Sequence, residues 1–163
     1  TDGGFNGTLE LDYYAGWSGE LGENMSIDVG FVYFDYPGDE GSEGDYQELY
    51  ASFSVTDFTL GVAYSDDYYG ETKNFKYYYA QYSLGFADGW AIDLHVGLND
   101  LDDDGGFLAG GEDRYTDYSV ALSKDVLWVN LALAYVGTTL DEEDVFGTDW
   151  ADDTLVFTIS KSL

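Results

Sequence analysis

Nine side chains carry most of what this sequence offers as chemistry: Glu10, Asp12, Asp28, Glu48, Gln81, Asp93, His95, Asp117 and Asn130. Each occupies a polar position in a segment where polar and apolar residues alternate. Alternation of period two puts successive side chains on opposite faces of a strand, so the nine are expected on one shared face. Carboxylates lining an aqueous lumen favour cations. The first expectation is therefore a narrow, cation-preferring passage for small polar solutes. In the competing arrangement the same groups satisfy one another and lumen water, and the interior is a plugged polar core. Nucleophilic catalysis needs a nucleophile, a base and an orienting group within reach. His95 is the single histidine, Asp93 lies two residues away on the same face, and Asp117, Ser119 and Ser123 stand in a neighbouring segment. No G-x-S-x-G elbow occurs, and a lone lumen histidine is usually a hydrogen-bonded filler. No enzyme activity, catalytic residue, metal centre or cofactor is expected.

Acidic runs between the strands add one further possibility. Asp39 to Asp45 (DEGSEGD), Asp102-Asp103-Asp104 and Asp141-Glu142-Glu143-Asp144 supply the hard oxygens that calcium and magnesium take. None has the spacing of an EF-hand loop. A solvated, repelling surface accounts for them, with weak surface binding of divalent cations as the alternative.

The segments that must position these groups read as strands. Thr8–Leu21 sets Leu9, Leu11, Tyr13, Ala15, Trp17 and Leu21 against Glu10, Asp12, Tyr14, Ser18 and Glu20. Met25–Tyr36 follows, ended by Pro37, the only proline. Tyr46–Val55, Phe58–Tyr64, Phe75–Phe86, Trp90–Leu98, Tyr115–Ser123, Leu127–Val136 and Thr154–Leu163 complete nine. The clearest is WAIDLHVGL, with Trp90, Ile92, Leu94, Val96 and Leu98 on one face and Asp93, His95 and Gly97 on the other. The connections at 22–24, 56–57, 87–89 and 124–125 are short and share one end. Those at 37–45, 65–74, 99–114 and 137–153 are long, acidic and share the other. That sorting belongs to outer-membrane barrels, with short periplasmic turns and longer external loops. An all-β antiparallel meander in one domain, 1–163, is expected. It forms most of a transmembrane barrel in the bacterial outer membrane, with the lipid bilayer and small cations or polar solutes as partners. Carboxylates facing hydrocarbon cost some 2–4 kcal/mol or less with depth, so the acidic face is the lumen.

Composition agrees and excludes other classes. Aromatics make up 18% of the chain, with 21 Gly against one Pro, which favours strands and tight turns. Hydrophobic residues are 45%, an ordinary share that barrel strands reach because lumen residues dilute each segment. Without cysteine there is no disulfide framework and no thiol site. With 33 Asp and Glu against 5 Lys and Arg the net charge is −28, so nucleic acid is excluded as a partner, for want of a basic footprint. Such acidity also accompanies life at high salt.

ELDYYAGWSGELG, DVGFVYFDYPG, AYSDDYYG, LHVGLND, YTDYSVALSKD and ADDTLVFTISKSL resemble the proteobacterial outer-membrane family Gcw_chp over nearly the whole chain. The resemblance implies a barrel of about twelve strands, a largely unassigned function with porin-like roles proposed, and about three strands upstream of Thr1. Strand parity leads the same way. If Thr154–Leu163 ends at the periplasm, Thr8–Leu21 runs in the same direction and cannot close antiparallel onto it. Thr8–Leu21 is therefore expected to pair with Met25–Tyr36 and with a strand from outside this sequence. That strand comes from an upstream segment, a homo-oligomer or a strand-donating neighbour.

Overall fold

The protein, seen in a computed structural model, is described over residues 9–38, 44–102 and 108–161. Nine antiparallel strands follow one another through a single sheet in chain order. They are β1 (Leu11–Gly22), β2 (Met25–Asp35), β3 (Tyr46–Val55), β4 (Phe58–Ser65), β5 (Phe75–Phe86), β6 (Trp90–Leu101), β7 (Arg114–Val126), β8 (Val129–Thr138) and β9 (Thr154–Ser160). Helical structure among the described residues is confined to two 3-10 turns, Ala87–Gly89 and Glu142–Val145. Among the described residues the sheet is open: β1 pairs with β2 alone and β9 with β8 alone.

The four short connections reverse the chain by the same device. Tight hairpins whose twist matches the strands need a left-handed residue, and each turn supplies one: Asn24 (φ 64), Thr56 (φ 52), Asp88 (φ 64) and Leu127 (φ 59). Gly89 (φ 74) follows Asp88 where a side chain would meet the Asp125 backbone and Cβ. Thr56 N–H also donates to Asn24 C=O at 2.8 Å, fastening one turn to the next.

Register carries each face across the sheet, since residues directly opposite in an antiparallel pair share a face. Trp17 faces Val29, Val29 faces Ala51, Ala51 faces Val62, Val62 faces Tyr78 and Tyr78 faces Leu98. On the same face Leu94 meets Val120, Val120 meets Tyr135, and Leu133 meets Phe157. This outer face is apolar and exposed: Leu94 is 41% exposed, Val96 48%, Leu133 50% and Phe157 63%. Of the residues expected to face outward, Val29, Phe53, Leu60, Leu94, Val120, Leu131 and Phe157 lie on it, whereas Leu9 precedes the sheet. The charges on it stand near strand ends: Asp35, Lys76, Asp100 and Arg114 at the long-loop end, Lys124 at the other. A water-soluble sheet has the reverse arrangement, with its apolar side chains buried.

The only buried apolar cluster among the described residues sits on the inner face at the long-loop end. Phe75, Leu101 and Leu108 form its centre, with Tyr68, Tyr77, Tyr115 and Leu140 packed around them. Tyr68 stacks on Phe75 with ring centroids 4.1 Å apart, and Phe34 on Tyr46 at 4.4 Å.

Several boundaries differ from the sequence reading, three of them by more than fraying at a strand end. The β7–β8 turn is Leu127-Trp128, not Lys124-Asp125, because Lys124 and Asp125 remain in the ladder opposite Leu131 and Asn130. The expected loop 99–114 begins later, since Asn99, Asp100 and Leu101 pair with Tyr77, Lys76 and Phe75. Polar residues continue a strand there because its inner face is polar. Leu9 and Glu10 precede β1 instead of belonging to it. Thr1, Thr8, the acidic stretch 39–43, Asp103, Asp104 and Leu163 lie outside the described residues.

Ser65 opposes Phe75 on the inner face, is 1% exposed, and its Oγ has no hydrogen-bond partner. Burying an unsatisfied hydroxyl costs about 1–3 kcal/mol. Ser65→Ala is expected to raise the urea midpoint of unfolding, whereas Phe75→Ala lowers it by removing the centre of the cluster.

Candidate functional site

The inner face holds the polar groups. Eight of the nine expected residues, Asp12, Asp28, Glu48, Gln81, Asp93, His95, Asp117 and Asn130, occupy its strand positions. Glu10 stands just before β1, where its carboxylate accepts the Tyr36 hydroxyl proton donor. Glu20 and Asp125 share the face. The five basic residues stand elsewhere: Lys76, Arg114 and Lys124 on the outer face, Lys73 in the β4–β5 loop and Lys161 just beyond β9. Among the described residues, therefore, the carboxylates of this face have no lysine or arginine beside them in the ladders, and the face as a whole is strongly negative.

The structure gathers some of these residues and leaves others apart. Its densest knot spans β5, β6 and β7, because Gln81 is opposite His95, and Gly97 is opposite Asp117. His95 Nε2 lies 2.8 Å from Asp117 Oδ1 and 2.8 Å from Tyr77 Oη, and Tyr77 Oη donates to Asp117 Oδ1 at 3.2 Å. Asn99 Nδ2 donates to Asp117 Oδ2 at 2.9 Å, and Gln81 Nε2 approaches His95 Nδ1 at 3.3 Å. One ring nitrogen, Nε2, faces Asp117 and the other, Nδ1, faces the Gln81 amide. Both ring nitrogens are thus engaged, neither by a serine hydroxyl. Asp93 joins a separate pair, accepting from Ser83 Oγ at 2.6 Å, and Asn130 Nδ2 donates to Asp125 at 2.9 Å. Asp12 and Asp28 stand on other strands, away from the knot.

Small residues make room for large ones on this face. A side chain at Gly61 would collide with the ring of Tyr79, and one at Gly97 with the Tyr77 hydroxyl and Asp117. Tyrosines therefore lie across glycines of neighbouring strands. Sequence reasoning named neither Tyr77 nor Asn99. Inner-face parity would have found Tyr77, while Asn99 was lost by assigning it to a loop.

Toward the long loops, outer-face tyrosines reach up to polar loop residues. Tyr33 Oη donates to Asp45 at 3.2 Å, Tyr64 Oη to Asn74 at 2.9 Å and Tyr118 Oη to Asp153 at 3.0 Å, while Tyr135 also donates to Asp153. At the opposite end Lys124 Nζ lies 4.4 Å from the centre of the Trp90 ring, and Lys161 Nζ lies 4.7 Å from that of Trp128. Partial burial and then the Glu10 carboxylate push the Tyr36 hydroxyl above its ordinary range. Burial, followed by the neighbouring Tyr115 and Glu48, does the same for Tyr68. Both stay protonated donors near neutral pH. Among the described residues no group of three or more histidines and carboxylates converges as a metal site. In the run Asp141 to Asp144, the Asp141 and Asp144 side chains cap the 3-10 turn Glu142–Val145.

The family model described as a bacterial protein of unknown function, Gcw_chp, matches residues 1–163. No curated protein matches the chain.

Asp117 is the shared acceptor of the knot. Asp117→Ala leaves the donors of Tyr77, His95 and Asn99 without it, and is expected to destabilise the fold by about 1–3 kcal/mol. Asp117→Asn, which keeps an acceptor oxygen, should cost less. Denaturant unfolding of the two variants beside the unsubstituted chain measures both.

Proposed function

We propose, from the premise that the chain belongs to the Gcw_chp family of bacterial proteins of unknown function, that it forms the wall of an outer-membrane β-barrel. Its acidic lumen conducts small cations. One observation carries the reading: the sheet exposes a continuous apolar face and turns its carboxylates to the other. In lipid this polarity is favourable, because hydrocarbon meets hydrocarbon and the charges meet lumen water.

The dimensions suit a bilayer. From Trp90 to Asp100 the outer face of β6 runs about 33 Å at about 3.3 Å per residue. A tilt of about 40° reduces this to a height of about 25 Å, the apolar band of such barrels. Tyrosines at one rim and the Trp90–Lys124 and Trp128–Lys161 pairs at the other suit the two interfaces, where rings with a polar tip settle. No helix among the described residues is long and apolar enough to cross a membrane, so in this reading the strands do so.

Backbone accounting favours a second element in the reading. In hydrocarbon every N–H and C=O must be paired, which forbids an open sheet edge. Strands β1 and β9 each have a free side in the described sheet and, in an antiparallel meander of nine, run in the same direction. Antiparallel closure between them takes an odd number of further strands. An additional segment of the polypeptide, or a strand-donating copy, supplies them. The lumen also narrows toward the long loops, where the Phe75–Leu101–Leu108 cluster occupies the inner face. The proposed passage is therefore slender. No catalytic step is assigned to it, in keeping with the engagement of both His95 nitrogens.

In planar bilayers under a potassium chloride gradient, the reconstituted protein is expected to show a reversal potential of the sign for potassium over chloride. Replacing Asp12, Asp28 and Asp93 together by asparagine should move it toward zero. An unchanged potential in the triple variant contradicts an acidic conduit, and absence of conductance contradicts an open one.

A further inference from the structure

Beyond the aromatic cluster, the four long connections face one another across a cleft of about 290 Å³. Its lining includes Tyr36, Tyr46 and Tyr69, from β3 and the β2–β3 and β4–β5 connections, and Asp144, Phe146 and Trp150, from the β8–β9 connection. We propose that this cleft is a binding site for a small organic cation, an alkylammonium of about the size of choline.

The walls are held in place without a ligand. Tyr36 donates its hydroxyl to Glu10 and its backbone N–H to Asp45 Oδ1 at 2.7 Å. Tyr69 stands edge-on to Tyr36, centroids 5.4 Å apart at 72°, and to Tyr46, 6.3 Å apart at 86°. In the β8–β9 connection, Asp141 and Asp144 cap the 3-10 turn Glu142–Val145 reciprocally, and Ala109 N–H donates to Asp144 C=O at 2.8 Å. Phe146 then adopts φ 62, a conformation that costs an ordinary L-residue about 1–2 kcal/mol and costs glycine almost nothing. Backbone geometry alone would favour glycine there, yet the chain places an exposed aromatic ring in the lining of the cleft.

Charge selects among ligands of the right size. Aromatic faces are negative and attract cations, most strongly where water is excluded, and cages of such rings recognise quaternary ammonium groups. Asp144 is a lining residue, its carboxylate accepting from the Asp141 N–H at 2.9 Å, and Asp141, Glu142 and Glu143 stand in the same connection. The chain's charge of −28 concentrates cations at the mouth and repels anions. A sugar would find aromatic faces here as well, but it would draw nothing from this potential. An alkylammonium uses the rings and the charge together. The inference does not depend on the sheet conducting ions, because the cleft is built from the connections at one end.

Isothermal titration of the intact chain in maltoside micelles, with choline and with its uncharged isostere 3,3-dimethylbutan-1-ol, separates charge from shape. Choline is expected to bind saturably, and the isostere at least about tenfold more weakly. Tyr69→Leu and Trp150→Leu should each weaken choline by about tenfold, while Tyr69→Phe, which keeps the ring, retains it. Equal affinities for the two compounds would overturn the proposal, as would absence of saturable choline binding to the unsubstituted chain. So would choline binding unmoved by both leucine variants, since attraction by surface charge alone predicts that result.

Discussion

Everything in this structure follows from the pairing of backbone groups in a sheet whose apolar side chains face outward. A nine-strand ladder satisfies its N–H and C=O groups internally, strand against strand, so the surroundings need supply no hydrogen bonds except at the two edges. That is the condition for residence in hydrocarbon. It frees one face to carry mostly Leu, Val, Ile, Phe, Ala, Gly and aromatic residues, with Gln47 and Thr116 among the polar ones toward the long loops. Burial on the other face then has a different meaning. Several polar side chains there are hydrogen-bonded to one another, and the buried apolar core among the described residues is the cluster around Phe75, Leu101 and Leu108.

The inner face can be understood as a problem of satisfying charge without counter-ions in its own ladders. Its carboxylates recruit side-chain donors other than lysine and arginine: Tyr77, Asn99 and His95 for Asp117, Ser83 for Asp93, Asn130 for Asp125. Such bonds stabilise an ionised acceptor and leave the net negative potential in place, which an arginine partner would cancel. Glycines at 61 and 97 admit the tyrosines that take part. The stability of this face thus rests on the same side chains that give it its negative charge.

Much of this was legible in the residues, and for a physical reason. Period-two alternation is local, so Trp90 to Leu98 announced both the strand and the orientation of Asp93, His95 and Leu94. The four turns announced the up-and-down order. Where the reading failed, polarity misled it. Asn99 and Asp100 look like loop residues, but the strand continues through them to Leu101 in the ladder with β5. Lys124-Asp125 looks like a turn, yet Asp125 finds Asn130 across the ladder, and the chain reverses at Leu127 and Trp128 instead. The knot around Asp117 depends on which residues of β5, β6 and β7 stand opposite one another. Alternation gives parity and not register, so His95 and Asp117 could be placed on one face but not in contact. The loop cleft lay beyond sequence reasoning altogether, since its walls come from connections distant in the chain.

The central claim is that the apolar face contacts lipid while the acidic face contacts water. Spin labels placed singly at residues 92 to 98 of β6, in the protein reconstituted into bilayers, test it most directly. Collision with oxygen reports lipid, and collision with a water-soluble nickel chelate reports the aqueous phase. The account predicts alternation: high oxygen and low nickel accessibility at 92, 94, 96 and 98, and the reverse at 93, 95 and 97. Equal nickel accessibility along the whole strand, or alternation of opposite phase, would contradict it.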